Sequence, residues 1–260
     1  MLEPLQYLLA ALSGGLVGFT LALVGGGGSI LAVPLMVYLV GVPSAHVAIG
    51  TSALAVAANA ATGLVNHARA GTVKWRCGGM YAAAGVLGAL AGSTLGKAID
   101  GQKLLLLFAL LMIVVGALML RRRSSEDMPD VQCNRTNAPK VLGFGFGTGA
   151  FSGFFGIGGG FLIVPGLIAS TGMPMINAVG TSLIAVAAFG VTTALNYALS
   201  GLIDWPLAAV FIAGGIAGGM AGSIAGRRLA AAGSLVKVFA GIIFLVAGYM
   251  LWRGIPALLA

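Results

Sequence analysis

Long apolar stretches separated by short polar ones run the length of the chain. They cover roughly residues 5–24, 29–41, 44–68, 75–98 and 103–120, then roughly 140–155, 160–172, 174–199, 205–226 and 234–252. Most come near the ~20 residues that a helix needs to cross a bilayer. The second stretch of each set is shorter. Its twelve to fourteen residues, at ~1.5 Å each, give about 18–21 Å, less than the ~30 Å of hydrocarbon. The pattern predicts an all-α polytopic membrane protein with about eight long transmembrane helices and two short broken ones. Arg121 to Lys140 is the one long polar interruption. The predicted organisation is a first transmembrane repeat over 1–123, a polar, mobile cytoplasmic linker over 124–139 and a second transmembrane repeat over 140–260.

The two sets are copies of each other. Gly25-Gly26-Gly27-Gly28-Ser29, with Pro34, recurs as Gly156-Ile157-Gly158-Gly159-Gly160, with Pro165, at an offset of 131. After a one-residue slip, Gly50-Thr51-Ser52 matches Gly180-Thr181-Ser182, Asn66 matches Asn196, and Trp75 matches Trp205. Gly85, Gly88, Gly92 and Gly96 then match Gly215, Gly218, Gly222 and Gly226. A doubled apolar chain with a glycine-interrupted segment at the same place in each half is the pattern of a secondary transporter, and the interruptions point to its substrate site.

Composition agrees. The hydrophobic fraction is 59% and the charged fraction 8%, too few charges to cover a soluble fold of this length, for which roughly 25% is usual. The net charge of +8 is then read as basic residues flanking spans rather than as a nucleic-acid surface. With only Cys77 and Cys133, a disulfide framework is not expected. Met1-Leu2-Glu3 lacks the basic start of a cleavable signal peptide. Charge also bears on topology. If each half crosses an odd number of times, the loops at 69–76, 121–140 and 227–237 share one face with eleven Lys and Arg, against three on the other. An even number gives nine against five. The positive-inside rule prefers the first arrangement, which makes the repeats inverted and the short segments real crossings.

Two kinds of residue are candidates for chemistry. A glycine run cannot continue a helix cheaply, and in hydrocarbon its freed backbone groups must find partners or line a wet cavity. Segments starting at Ser29 and Gly160 turn their unpaired N–H groups toward the breaks, where an anion is favoured. The candidate substrate-binding residues are therefore Gly25, Gly26, Gly27, Gly28, Ser29, Gly156, Gly158, Gly159 and Gly160. Thr51, Ser52, Thr181 and Ser182 join them as hydroxyls able to complete a cage, with bonding to the preceding helical turn as the alternative. The stripes Gly85 to Gly96 and Gly214 to Gly226 read instead as close helix packing. Asn59, Asn66 and Asn196 are the other polar side chains in apolar segments, and the matched pair Asn66 and Asn196 reads as capping or interhelical bonding.

All six acids (Glu3, Asp100, Glu126, Asp127, Asp130 and Asp204) fall outside the predicted spans. An anion held by backbone dipoles and hydroxyls needs no buried counter-charge, whereas a proton relay generally uses an intramembrane carboxylate. His46 and His67 are the remaining proton carriers, both near segment ends. There is no Walker-type run, no metal-ligand spacing and no nucleophile motif, so neither an enzyme nor a cofactor is expected.

The doubled glycine breaks with Pro34 and Pro165, the Gly-Thr-Ser pairs and the matched Trp75 and Trp205 resemble the TauE/SafE family of membrane transporters, the sulfite exporters, over about residues 8–252. The resemblance implies transport of a small sulfur-containing anion of the sulfite, thiosulfate or organosulfonate class. Ile157 interrupts the second glycine run, so the two half-sites need not be equivalent. The expected function is alternating-access transport of such an anion across the inner, cytoplasmic membrane, with a passive anion channel of the same architecture as the alternative. The expected partners are the small anionic substrate and the lipid bilayer. Nucleic acid is not among them, and a homodimer is left open.

Overall fold

A computed structural model describes residues 3–121, 133, 137–156, 160–229 and 235–259. Every regular element among them is helical. The first half opens with α1 (Pro4–Val24). A 3-10 stretch follows over Gly25–Leu31, then the three-residue α2 (Ala32–Pro34) and a π-helical turn over Leu35–Leu39. Next come α3 (Ala45–Arg69), α4 (Trp75–Lys97) and α5 (Gly101–Arg121). The second half repeats the series as α6 (Ala138–Phe155), α7 (Gly160–Thr171), α8 (Met175–Ala198), α9 (Trp205–Leu229) and α10 (Leu235–Leu259). These bounds follow the apolar stretches within a few residues, except that α10 continues past Arg253.

Six helices among the described residues are long and apolar enough to cross a membrane, and three shorter apolar stretches accompany them: Gly28–Leu39, Gly160–Thr171 and Ile243–Gly254. The first two are the expected short segments. α6 has 18 residues but does not reach the hydropathy of the six, because glycines dilute it. The chain is thus a multi-pass helical membrane protein.

Helices that match in sequence run antiparallel. Lys74 N, at the end of the α3–α4 connection, donates to Thr181 Oγ1 near the start of α8 (2.9 Å). Asp204 N, ahead of α9, donates to Thr51 Oγ1 near the start of α3 (3.0 Å). The start of α3 therefore lies beside the end of α8, and the reverse. α5 and α10 show the same sense, since Gly116 faces Phe244 and Gly254 faces Leu106. The short first segment is a return crossing: Gln6 Nε2, on the first turn of α1, donates to the Val40 carbonyl at its end (3.0 Å). The first half therefore returns to its starting face before α3, as the inverted arrangement requires. The connections carrying Arg69, Lys74 and Arg76 lie at the end of the fold where α6 begins, and Lys97 and Lys103 lie at the other.

The glycine stripes make the tightest contacts between the halves. α4 runs alongside α6, and a Cβ at Gly88, Gly92 or Gly96 would strike the backbone carbonyls of Phe146, Ala150 or Phe154. α1 runs alongside α9 in the same way, where Gly214, Gly218 and Gly222 meet the carbonyls of Ala11, Gly15 and Phe19. Small residues let backbones approach where lipid gives no hydrophobic drive to helix association. Trp75 and Trp205 open α4 and α9 at opposite faces, and both are exposed, as interfacial aromatic anchors are.

Cys77 and Cys133 form a disulfide, and no cysteine is free among the described residues. This corrects the expectation drawn from cysteine count. Cys133 is thereby held at the first turn of α4 across a separation of 56 residues, and two isolated cysteines carry no spacing signal that announces such a bridge.

Candidate functional site

The first glycine break continues α1 as a 3-10 stretch instead of leaving the backbone open. Gly28 lies directly on the α1 backbone at Thr20 and Leu21, where no side chain would fit. The Thr20 hydroxyl reaches the Gly28 carbonyl at 3.4 Å and its own helix at 2.9 and 3.0 Å. Ser29 is fully buried. At the second break, Gly156 ends α6 in the left-handed region (φ 67°), where a Cβ is disfavoured, and it sits against Ile49 of α3. Gly160 opens α7 and is buried. Gly158 and Gly159 lie outside the described residues.

The four hydroxyls are all fully buried, but they do not come together. Thr51 and Thr181 each accept a backbone N–H from the connection at the opposite helix's end. Ser52 and Ser182 donate to the carbonyls of Ile49 and Val179 at 3.0 and 2.7 Å. A side chain at Gly180 would meet His67 and Thr72, so Thr181 is level with the end of α3. About eighteen residues of α3, about 27 Å, then separate the two threonines along the helix axis. This corrects the picture of one cage: equal positions in two antiparallel helices fall at opposite faces.

What the fold does bring together is a polar file on α3. Asn59, Thr62, Asn66 and His67 occupy one helical face and line a cavity of about 40 Å³ between α1, α3, α8 and α9. Gly215 of α9 forms part of its wall, and a Cβ there would collide with the Asn59 amide. Asn59 is 3% exposed, and neither its Nδ2 nor its Oδ1 has a hydrogen-bond partner among the described residues. Thr62 donates to the Asn59 carbonyl at 2.7 Å. His67 Nδ1 and Thr72 Oγ1 are hydrogen-bonded at 2.9 Å, and the Thr72 hydroxyl also lies 3.2 Å from the His67 carbonyl.

The matching place in the second half is built differently. Phe189 stands where the one-residue slip puts the counterpart of Asn59, fully buried against Gly85, the counterpart of Gly215. Asn196, matched to Asn66, donates to Ser93 Oγ at 2.6 Å and Thr94 Oγ1 at 3.1 Å. Lys97 Nζ donates to Asn196 Oδ1 (2.8 Å), the Asn196 carbonyl (3.0 Å) and Ser200 Oγ (2.9 Å), all neutral oxygens. Asn196 is thus the interhelical link its place near a helix end suggested. Asn66 instead faces a cavity. No group of three or more His, Cys, Asp or Glu suited to a metal occurs among the described residues.

A family profile described as "Sulfite exporter TauE/SafE" matches residues 10–250. The chain belongs to this family. Among its relatives is a protein of Xylella fastidiosa (strain 9a5c) named "Probable membrane transporter protein", 52% identical over 95% of this chain and 96% of its own length. Bacillus subtilis (strain 168) has "Probable membrane transporter protein YdhB", 25% identical over 76% of this chain and 82% of its own. No solved structure matches. A TauE/SafE membrane transporter is what the two breaks, the inverted halves and the apolar helices describe together, and nothing in the family or relatives' names points to an enzyme.

Proposed function

We propose that this TauE/SafE protein is a secondary transporter that moves a small sulfur-containing anion, of the sulfite, thiosulfate or organosulfonate class, across the inner, cytoplasmic membrane by alternating access. The observation that carries the reading is the antiparallel match of the two halves, each with a broken short crossing. Two inverted copies of one unit can exchange conformations and so open a central path to either side in turn. In this mechanism the breaks are not one cage. Gly25 to Ser29 with Thr181 and Ser182 serve one face, and Gly156 to Gly160 with Thr51 and Ser52 serve the other. The anion passes between them. The absence of carboxylates from the spans removes the repulsion such an anion would meet.

The experiment is uptake by proteoliposomes, screened with sulfite, thiosulfate, sulfate, organosulfonates and carboxylates. We expect flux for at least one sulfur-containing anion and a response to membrane potential. Flux of carboxylates alone would refute the substrate class. Gly27→Leu should insert normally and abolish flux, because the break borders the proposed anion path and a Leu side chain would narrow it.

We place the linker face in the cytoplasm on the eleven-to-three excess of basic residues. The disulfide on that face pulls the other way, since stable bridges belong to oxidising compartments. Lys74→Cys and Asp204→Cys, each in a background lacking Cys77 and Cys133, settle it. In intact cells an impermeant maleimide should label position 204 and spare position 74. The reverse pattern would turn the protein over.

A further inference from the structure

We propose that Asn59 is the residue that binds the transported anion, in the cavity of the first half, and that it takes the anion in its monoprotonated form. The inference rests on the transport reading above and names the ligand chemistry of the path.

A buried amide is unfavourable unless it is hydrogen-bonded. Asn59 is 97% buried with donor and acceptor both unmet among the described residues. Packing does not demand an amide there, because the second half fills the equivalent place with Phe189 over Gly85. An amide kept where a phenyl ring would pack points to a ligand. The site adjoins the first break, since Leu21 lines the cavity and also carries Gly28 on its backbone.

The free atoms describe the ligand. Nδ2 offers N–H donors and Oδ1 offers an acceptor. A fully ionised oxyanion has only acceptors and would leave Oδ1 unpaired against like charge. An oxyanion retaining one proton, such as hydrogensulfite, meets both: its anionic oxygens take Nδ2–H and its proton goes to Oδ1. Among the described residues no carboxylate lines the cavity, and the α1, α8 and α9 walls contribute glycine, alanine and leucine. His67 is the single titratable group in the lining among the described residues. The pocket, about 40 Å³, exceeds the ~10–15 Å³ that a single water needs, so a small polar ligand can reach the amide.

The test uses purified protein in proteoliposomes with sulfite as probe, at a pH below and a pH above its second ionisation. Wild type, Asn59→Leu and His67→Gln are compared for flux, and thermal unfolding is recorded for each. Asn59→Leu should lose about 10- to 100-fold in kcat/KM, the worth of a hydrogen bond to a charged group. It should melt no lower than wild type, because an unpaired buried amide has been replaced by an apolar group of similar size. Wild type and His67→Gln should both transport faster at the lower pH. Undiminished flux in Asn59→Leu overturns the proposal and leaves the transport reading standing. A lowered melting temperature in Asn59→Leu makes Asn59 a structural residue and overturns it too. Loss of the pH dependence in His67→Gln moves the proton from substrate to protein and overturns the monoprotonated ligand. Absence of sulfite flux in wild type overturns this inference, and absence of flux for every sulfur-containing anion of the screen overturns the transport reading as well.

Discussion

Asn59 over Gly215 in the first half and Phe189 over Gly85 in the second stand at the same point of the repeat. The surroundings are alike. In both, a long helix crosses a glycine stripe that holds the fourth helix of one half against the first of the other. The side chains differ, and with them the outcome: an unmet amide beside a pocket on one side, and a ring packed onto a glycine on the other. The duplicated parts are therefore the scaffold and its moving joints. Function that depends on a single ligand sits where the duplication has been broken.

The scaffold side of this comparison predicts equal effects in the two halves. Gly88→Leu and Gly218→Leu each drive a side chain into a neighbouring backbone carbonyl, which no rotamer relieves. Both should prevent assembly of the folded protein, an effect of about 3 kcal/mol or more, seen as loss of the monodisperse species in detergent. Tolerance in one half alone would show that the two stripes are not equivalent.

The filled side of the comparison should be the more sensitive to truncation. Phe189→Ala removes a buried ring and should lower stability by about 3–5 kcal/mol in detergent unfolding. Asn59→Leu should not lower it. Similar losses at both positions would remove the contrast between a packed and a ligand-binding half.

The smallest effect concerns the threonines. Thr51→Val and Thr181→Val each take the acceptor from one backbone N–H, of Asp204 and Lys74. Each should reduce stability by about 1–3 kcal/mol, and the two losses should be alike because the bonds are related by the repeat. If one variant abolishes flux with unchanged stability, that hydroxyl contacts substrate instead.

Much of this fold could be read in the chain. Apolar runs bounded by charge mark helices of membrane length, and Trp75 and Trp205 mark matched starts. Basic residues at 69–76 and 227–237 already favoured an odd number of crossings, and the hydrogen bonds of Thr51 and Thr181 show the antiparallel helices that follow. The glycine stripes were legible as packing because four-residue spacing keeps them on one helical face. The site was less legible. Matched residues suggest a common cage, yet inversion sends Thr51 and Thr181 to opposite faces, which only orientation reveals. Asn59 escapes a search for doubled residues since its partner is Phe189. A lone amide in mid-span opposite an aromatic counterpart is the signal that finds it. The bridge between Cys77 and Cys133 leaves no trace in sequence spacing, since the two residues are 56 apart and belong to no repeated pattern.

Alternating access is tested most directly by counterflow. Proteoliposomes loaded with unlabelled sulfite are diluted into a trace of labelled sulfite, and entry is followed over time and concentration. We predict saturable entry that is faster with sulfite inside than without, as a carrier that must return loaded or empty requires. Entry that rises linearly with concentration and ignores the internal anion would contradict alternating access and make the protein a channel.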